Sequence, residues 1–404
     1  MKKKAVSIVL VGITGMGQSY LEILLAGFPP EEIVLDAVVE PYPERSAYLS
    51  ELQDRKIPVL PTLAAAYENR APADLVVICS PIQHHVSQSC LALEQGSHVL
   101  CEKPVGATVQ DARHLIEVEE RTGLWVMMGY QWSYSRAIQS LKRDVMDGKF
   151  GQPLRLKTLC LWPRDEAYYK RNDWAGRLKD DQGQWVLDSP ANNAMAHFLH
   201  NLFYILGKKI DGCAMPTGVT AELYRAYPIE NYDTCACRAY TDERVEILFY
   251  ASHATYRDLG PVFSLEFEKA SVTFNEAAGG IIAKDRLGNT ENYSSPEAEH
   301  PLLKLFHAVK AVRESQSILC GPEASAAQTL CMNGMQESVS AISDFPDSQV
   351  ISGNEHNRIW VPGLCEEMED CYRRGLLPSE AGLSWAACGE YIDLKNYGHY
   401  PGSG

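Results

Sequence analysis

The first 130 residues alternate apolar strands with helical segments, and this alternation constrains the fold more than any other feature. Residues 7–11 read as a strand that is continuously apolar after Ser7, which is typical of a strand covered on both faces of a sheet. Similar strand patterns recur downstream, separated by segments with helical spacing, at 34–39, 74–79, 99–101 and 125–128. The repeat predicts an N-terminal α/β domain with a doubly wound parallel sheet.

The pattern changes near residue 130. Strand-like segments then follow one another with few helices between them, at 153–161, 219–224, 234–240, 245–251, 263–267 and 271–275. This succession predicts a C-terminal α+β domain with a large, mostly antiparallel open sheet. We expect the domains to span 1–130 and 131–345. Residues 346–404, rich in Gly, Pro and Trp, should form an extension that packs on the body or on a partner subunit.

The charge and the cysteines exclude several classes of function. The net charge is −15 with no long basic run, which argues against nucleic acid and anionic membrane surfaces as partners. No apolar run approaches the roughly 20 residues that a transmembrane helix needs. The 12 cysteines show neither Cys-x-x-Cys nor zinc spacing. We therefore expect no metal site and a reducing, cytoplasmic location.

A glycine-rich turn joins the first strand to the first helix. Its residues are Gly12, Ile13, Thr14, Gly15, Met16 and Gly17. Such a turn lets backbone N–H groups approach a pyrophosphate at a helix N-terminus. Thr14 stands where the usual motif has its second glycine, so a turn without any cofactor stays open as an alternative. Glu40 ends the second strand, where a carboxylate can accept both ribose hydroxyls of NAD; Arg45 keeps NADP from being excluded.

Lys103 follows an apolar strand within the segment Cys101-Glu102-Lys103-Pro104. A lysine at the carboxyl end of a strand in an open α/β sheet points toward the crevice where ligands bind. Pro104 fixes its own φ and restricts the backbone of Lys103. The alternative interpretation is a solvated surface lysine before a turn.

Three segments together resemble the Gfo/Idh/MocA oxidoreductase family, which includes glucose-fructose oxidoreductase and inositol dehydrogenases. They are the glycine turn, the segment Ser80-Pro81-Ile82-Gln83-His84-His85 after one strand, and Glu102-Lys103-Pro104 after the next. The resemblance covers roughly residues 5–340 and implies a Rossmann domain that binds NAD. It places Ser80, Pro81, His85, Glu102 and Lys103 at the cofactor.

The family also carries an Asp-x-Gly-x-His-x-x-Asp motif in its second domain. The matching segment here runs from Asn193 through His197 to His200. His197 takes the position of the catalytic histidine, while Asn193 and His200 replace the two acids. Asp188 is a candidate substitute acid. The other interpretations of His197 are a structural histidine or, with His200 and a carboxylate, a metal ligand.

The segment 162–177 is dense in aromatic and charged residues, which suit a polyhydroxylated ring. We predict substrate contacts for Lys103, His197, Asn193 and His200, together with Tyr130, Trp162, Arg164 and Trp174. An exposed or interface loop is the alternative for 162–177. Tyr130 lies where the family shows Gly-(Phe/Tyr)-x-x-Arg-(Phe/Tyr)-x-Pro, but Ser133 and Arg136 replace the Arg and Pro.

The resemblance implies an NAD-dependent oxidoreductase, with NADP not excluded, that acts on a hydroxyl of a sugar, cyclitol or glycoside. Hydride would move to the nicotinamide, Lys103 would polarise the oxygen or relay the proton, and His197 would act as general acid/base. Two alternatives remain open. One is a redox-neutral enzyme that cleaves or isomerises a glycoside through a keto-sugar, and the other is an inactive binding or regulatory protein. A homo-oligomer is expected.

Overall fold

The computed structural model describes residues 5–26, 28, 31–353 and 357–402. It divides into two compact units. The N-terminal unit comprises residues up to 106 with 111–134 and 300–323, and the C-terminal unit comprises 107–110, 135–299 and the residues from 324 onward. The division differs from the predicted boundaries because 300–323 packs with the N-terminal unit. The described residues of the predicted extension, 346–404, belong to the C-terminal unit.

The N-terminal unit is built on a parallel sheet whose described strands follow the order β3-β2-β1-β4-β5-β6. The order reverses between β1 and β4, which are direct neighbours, so the switch point lies at their carboxyl ends. Along the chain to residue 128, the strands and helices are β1 Val6–Val11, α1 Met16–Ala26, β2 Ile33–Val39, α2 Leu49–Asp54, β3 Val59–Leu60, β4 Leu75–Ile78, α3 His85–Glu94, β5 His98–Cys101, α4 Val109–Thr122 and β6 Val126–Met128.

The rest of the chain holds a second sheet and the remaining helices. These elements are α5 Arg136–Met146, β7 Pro153–Leu161, α6 Glu166–Lys170, α7 Ala196–Ile205, β8 Pro216–Arg225, β9 Thr234–Thr241, β10 Glu246–Ser252, β11 Leu259–Phe267, β12 Ala270–Asn275, β13 Gly280–Asp285, β14 Thr290–Ser294, α8 Leu303–Glu314, α9 Pro322–Glu337, β15 Ser343–Asp344, β16 Ile351–Ser352, β17 Ile359–Trp360, α10 Leu364–Arg374 and β18 Ile392–Asp393.

The second sheet is mixed but mostly antiparallel, in the order β14-β13-β12-β11-β7-β10-β9-β8-β15, and β18 pairs with β8. Its central pair, β7 and β10, runs parallel. Helix α10 packs on this sheet through Leu364 and Met368, which join a buried cluster with Leu159 and Tyr250. The predicted fold class is confirmed.

The sequence pattern predicts a helix over 192–206, but α7 begins four residues later, at Ala196. The preceding backbone forms a turn instead, because the N–H groups of Asn192 and Asn193 both donate to the carbonyl of Ser189. Within the described ranges, no helix combines the length and apolarity needed to cross a bilayer.

Candidate functional site

The glycine turn follows β1 at the switch point of the parallel sheet. Gly12 has a φ of +78°, and a Cβ there would lie 3.0 Å from the backbone of Cys79. A Cβ on Gly17 would lie 2.0 Å from the carbonyl oxygen of Gly12. Only glycine fits both positions, so the chain can turn tightly enough to present the start of α1. Thr14, Gly15 and Met16 are exposed at the tip of the turn, where a diphosphate could approach.

Glu40 comes directly after β2 and faces the glycine turn. Its carboxylate accepts hydrogen bonds from the backbone N–H groups of Ile13 (3.2 Å) and Tyr42 (3.2 Å). The side chain is therefore held at the end of β2, beside the turn, rather than free in solvent. A carboxylate oxygen has room for more than one hydrogen bond, so both ribose hydroxyls remain acceptable partners.

Lys103 is the single residue of 101–106 that is not buried. The backbone around it is fixed: the N–H of Glu102 donates to Ile78 and the N–H of Gly129 donates to Cys101. The peptide between Lys103 and Pro104 is cis. The backbone hydrogen bonds place Lys103 directly after β5, next to the carboxyl ends of β4 and β6.

A buried ion pair lies beneath Lys103. The carboxylate of Glu102 accepts from the Nζ of Lys304 on α8 and, at 2.7 Å, from the hydroxyl of Tyr20 on α1. Lys304 also donates to the carbonyl of Gly129 at 2.9 Å. Burial opposes ionisation of Glu102, but the charge and hydrogen bonds of Lys304 hold the pKa of Glu102 below its usual value. Lys304 thus ties α8 to the ends of β5 and β6.

His85 links two of the predicted cofactor segments. Its Nδ1 lies 2.8 Å from the carbonyl oxygen of Pro104, and its Nε2 lies 2.9 Å from that of Ser80. The ring is buried, and burial lowers the pKa of His85. His85 therefore sets the loop positions, whereas Ser80 and Pro81 are partly exposed beside the glycine turn.

In the C-terminal unit, Asn193 and His197 are partly exposed at the start of α7. The amide of Asn193 donates to Asp188 Oδ1 at 2.7 Å. The backbone N–H of Gly176 donates to the other oxygen of Asp188 at 2.6 Å. Asp188, the candidate substitute acid, is thus in direct contact with Asn193, which stands where the family motif has its first acid.

Two of the predicted substrate contacts, His200 and Tyr130, are buried side chains. His200 is 1% exposed and stacks on Tyr204 with ring centroids 5.4 Å apart. Burial, followed by the charge of Lys142, lowers the pKa of His200 to about 3. Tyr130 is fully buried in the N-terminal unit. Both rings are core components, because the helix and the loop that carry them turn these side chains away from solvent.

The segment 162–177 forms an aromatic and cationic cluster. The guanidinium of Arg164 lies 5.8 Å from the ring centroid of Trp162 and 4.8 Å from that of Tyr168. Arg171 lies 3.9 Å from Tyr168 and 5.1 Å from Trp174. The three predicted contacts Trp162, Arg164 and Trp174 therefore belong to one partly exposed surface.

Sequence reasoning missed Lys304 and His253. Lys304 lies on an amphipathic helix, where a lysine normally faces solvent, and its partner Glu102 is 202 residues away in the chain. Within the described residues, no group of three or more His, Cys, Asp or Glu side chains is arranged to hold a metal ion.

Comparisons with known proteins agree with this geometry. Residues 6–130 match the family model GFO_IDH_MocA, described as an oxidoreductase family with an NAD-binding Rossmann fold. Among curated relatives, the D-glucoside 3-dehydrogenase of Escherichia coli is 32% identical over 20% of this chain and 22% of that protein. The inositol 2-dehydrogenase of Pseudomonas savastanoi is 32% identical over 24% of this chain and 29% of that protein. The aligned region thus spans about a quarter of these relatives' length.

Solved structures extend the likeness to both units. The WlbA dehydrogenase from Bordetella pertussis, solved with NADH and UDP-GlcNAcA, gives a TM-score of 0.67 at 17% identity, over 83% of this chain and 98% of that chain. At this identity the likeness shows the fold. The predicted resemblance is confirmed over residues 6–130, which match the model of the Gfo/Idh/MocA family of NAD-binding oxidoreductases.

Proposed function

We propose that this protein is an NAD-dependent oxidoreductase that moves a hydride between a hydroxyl carbon of a sugar, cyclitol or glycoside and the nicotinamide. The observation that carries the proposal is the exposure of Lys103 alone within 101–106, at the strand ends beside the glycine turn. A Rossmann sheet places its ligand at this edge.

The residues present fit the cofactor. Gly12 and Gly17 leave a space that a Cβ would fill, and Glu40 stands at the end of β2 to accept ribose hydroxyls. NAD supplies the hydride acceptor when it is bound. The carboxylate of Glu40 would repel the 2′-phosphate of NADP, so we propose NAD as the preferred cofactor.

Lys103 and His197 are the proposed proton-handling groups. The ammonium of Lys103 would polarise the substrate oxygen, because Glu102 is already neutralised by Lys304 and does not compete for the amine as a free carboxylate. His197 would take the hydroxyl proton, since an imidazole titrates near neutral pH. Asp188 lies one contact away, through Asn193, and its negative charge would favour the imidazolium.

The test is an assay of a panel of sugars and cyclitols with NAD. Turnover is monitored by the absorbance of the reduced nicotinamide and by analysis of the products. Lys103→Met should lower kcat by about 10²- to 10⁴-fold while NADH binding survives. Lys310→Met is the matched control, because Lys310 is an exposed lysine of the same unit. Full turnover by Lys103→Met would contradict a catalytic role for Lys103 and would favour the alternative of a solvated surface lysine.

The same assay separates the redox-neutral alternative. Substrate consumption that requires NAD but leaves no net NADH would indicate a keto-sugar intermediate that is reduced again. No conversion of any panel member, with NADH bound, would favour a binding or regulatory protein. We also propose a homo-oligomer and a cytoplasmic setting, the latter because the 12 cysteines are free thiols and most are buried.

A further inference from the structure

A cationic subsite lies at one edge of the second sheet, where the parallel strands β7 and β10 both end. The N–H of Trp162 donates to the carbonyl of Ser252, and the N–H of Arg164 donates to the carbonyl of His253 at 3.1 Å. These bonds fix the loop after β7 against the loop after β10. Arg164 is therefore carried on a defined backbone.

Aromatic rings orient the two arginines of this subsite. Arg164 and Arg171 both lie against Tyr168, with the guanidinium carbon 4.8 Å and 3.9 Å from its ring centroid. An aromatic face holds a guanidinium in place without cancelling its charge. Arg171 is held further by one of its N–H groups, which donates to the carbonyl oxygen of Tyr168.

Few carboxylates lie close to the guanidinium groups of Arg164 and Arg171. Asp188 lies 3.7 Å from Arg171, but it also accepts from Gly176 and Asn193. Over the described ranges, Arg164 has no carboxylate within ion-pair distance, and its Nε is buried without an acceptor. A buried guanidinium N–H without an acceptor indicates a missing ligand atom or water.

Two further groups shape the subsite. His253 is 1% exposed, and its Nδ1 lies 2.8 Å from the carbonyl oxygen of Trp162. Burial, and then the charge of Arg164, lowers the pKa of His253 to about 3, so this ring is neutral at neutral pH. The Tyr169 hydroxyl is also buried without a hydrogen-bond partner among the described residues.

We propose that Arg164, supported by Arg171, binds an anionic substituent of the substrate, a carboxylate or a phosphate. The inference rests on the proposed function, since it narrows the substrate class to sugars or cyclitols that carry an acidic group. Carboxylates and phosphates match the guanidinium fork with two parallel hydrogen bonds, which a neutral hydroxyl cannot do.

The experiment measures binding of D-glucuronate, glucose 6-phosphate and D-glucose to the full chain by calorimetry, with and without NADH. We expect one acidic ligand to bind at least tenfold more tightly than glucose. Tighter binding of D-glucuronate would indicate a carboxylate site, and tighter binding of glucose 6-phosphate would indicate a phosphate site. The affinity of the acidic ligand should fall with added salt. Arg164→Met should weaken the binding of that acidic ligand by about 10- to 100-fold and should weaken glucose binding less.

Arg164→Lys keeps the positive charge but not the guanidinium fork, so its loss of affinity for the acidic ligand should be intermediate. This variant also replaces Arg164→Met in the test if Arg164→Met does not fold. Arg177→Met is the matched control, because Arg177 lies in the same segment but pairs with Asp181. Equal binding of the three ligands, no binding, or an unchanged Arg164→Met variant would each overturn the inference. NADH binding is measured in a separate titration. Absence of NADH binding would contradict the proposed function, independently of the result for the acidic ligands.

Discussion

Replacement of Lys304 by methionine should destabilise the N-terminal unit by about 3–5 kcal/mol, the cost of leaving one partner of a buried ion pair without the other. The side chains of Lys304 and Glu102 are only 1% and 8% exposed, so solvent screens the pair little. Methionine preserves most of the apolar stem, and the loss therefore reports the charge and the hydrogen bond to Gly129. The measurement is the free energy of unfolding in urea at neutral pH.

The pH dependence sharpens this test. Without Lys304, burial raises the pKa of Glu102 above its value in the unfolded chain, so the folded variant binds the extra proton as pH falls. The deficit relative to wild type should then shrink from pH 8 to pH 5. Adding Glu102→Gln to the variant should recover most of the stability, since the unpaired charge is gone. Lys310→Met on the same helix is the control. A loss below about 0.5 kcal/mol for Lys304→Met would refute the reasoning.

Three further outcomes are expected. Glu40→Ser should narrow the preference for NAD over NADP, measured by titration of both cofactors; an unchanged ratio would remove Glu40 from the ribose site. Asp188→Asn should move the acidic limb of the pH profile of kcat/KM to lower pH, because loss of a nearby carboxylate disfavours the His197 imidazolium. An acidic limb at the same pH would show that Asp188 does not act on His197. Between pH 6.5 and 5, the neutral buried ring of His253, with its pKa of about 3, should cost about 2 kcal/mol of stability, because only the unfolded chain binds that proton. His253→Gln should flatten this dependence in urea titrations, and an unaltered slope would contradict it.

The strands that are compact apolar runs bounded by turn residues were predictable, whereas β3, β13 and β14 were not predicted. Strand β7, Pro153–Leu161, was predicted to the residue. The start of α7 was predicted too early, because the polar turn after Pro190 has helix-like spacing but bonds back to Ser189. Helix α10 was missed within a segment whose Gly, Pro and Trp content indicates irregular chain.

The site divides along the same line. Short-range signals such as the glycine turn and the strand-end lysine could be found from the sequence. Contacts across long chain separations could not. The pairing of Glu102 with Lys304 depends on which face of α8 turns inward, and burial of His200 depends on the packing of α7 near Lys142. Helical periodicity alone places Asn193, His197 and His200 on a common face; packing separates them.

The return of residues 300–323 to the N-terminal unit has a consequence for synthesis on the ribosome. The sheet is complete in sequence by Met128, but the cation that neutralises Glu102 arrives only when Lys304 has left the exit tunnel. Until then the nascent unit must keep that carboxylate protonated or hydrated, so it should stay loosely packed at the ends of β5 and β6. The edge that carries Lys103 would thus be completed late, after most of the second sheet has emerged.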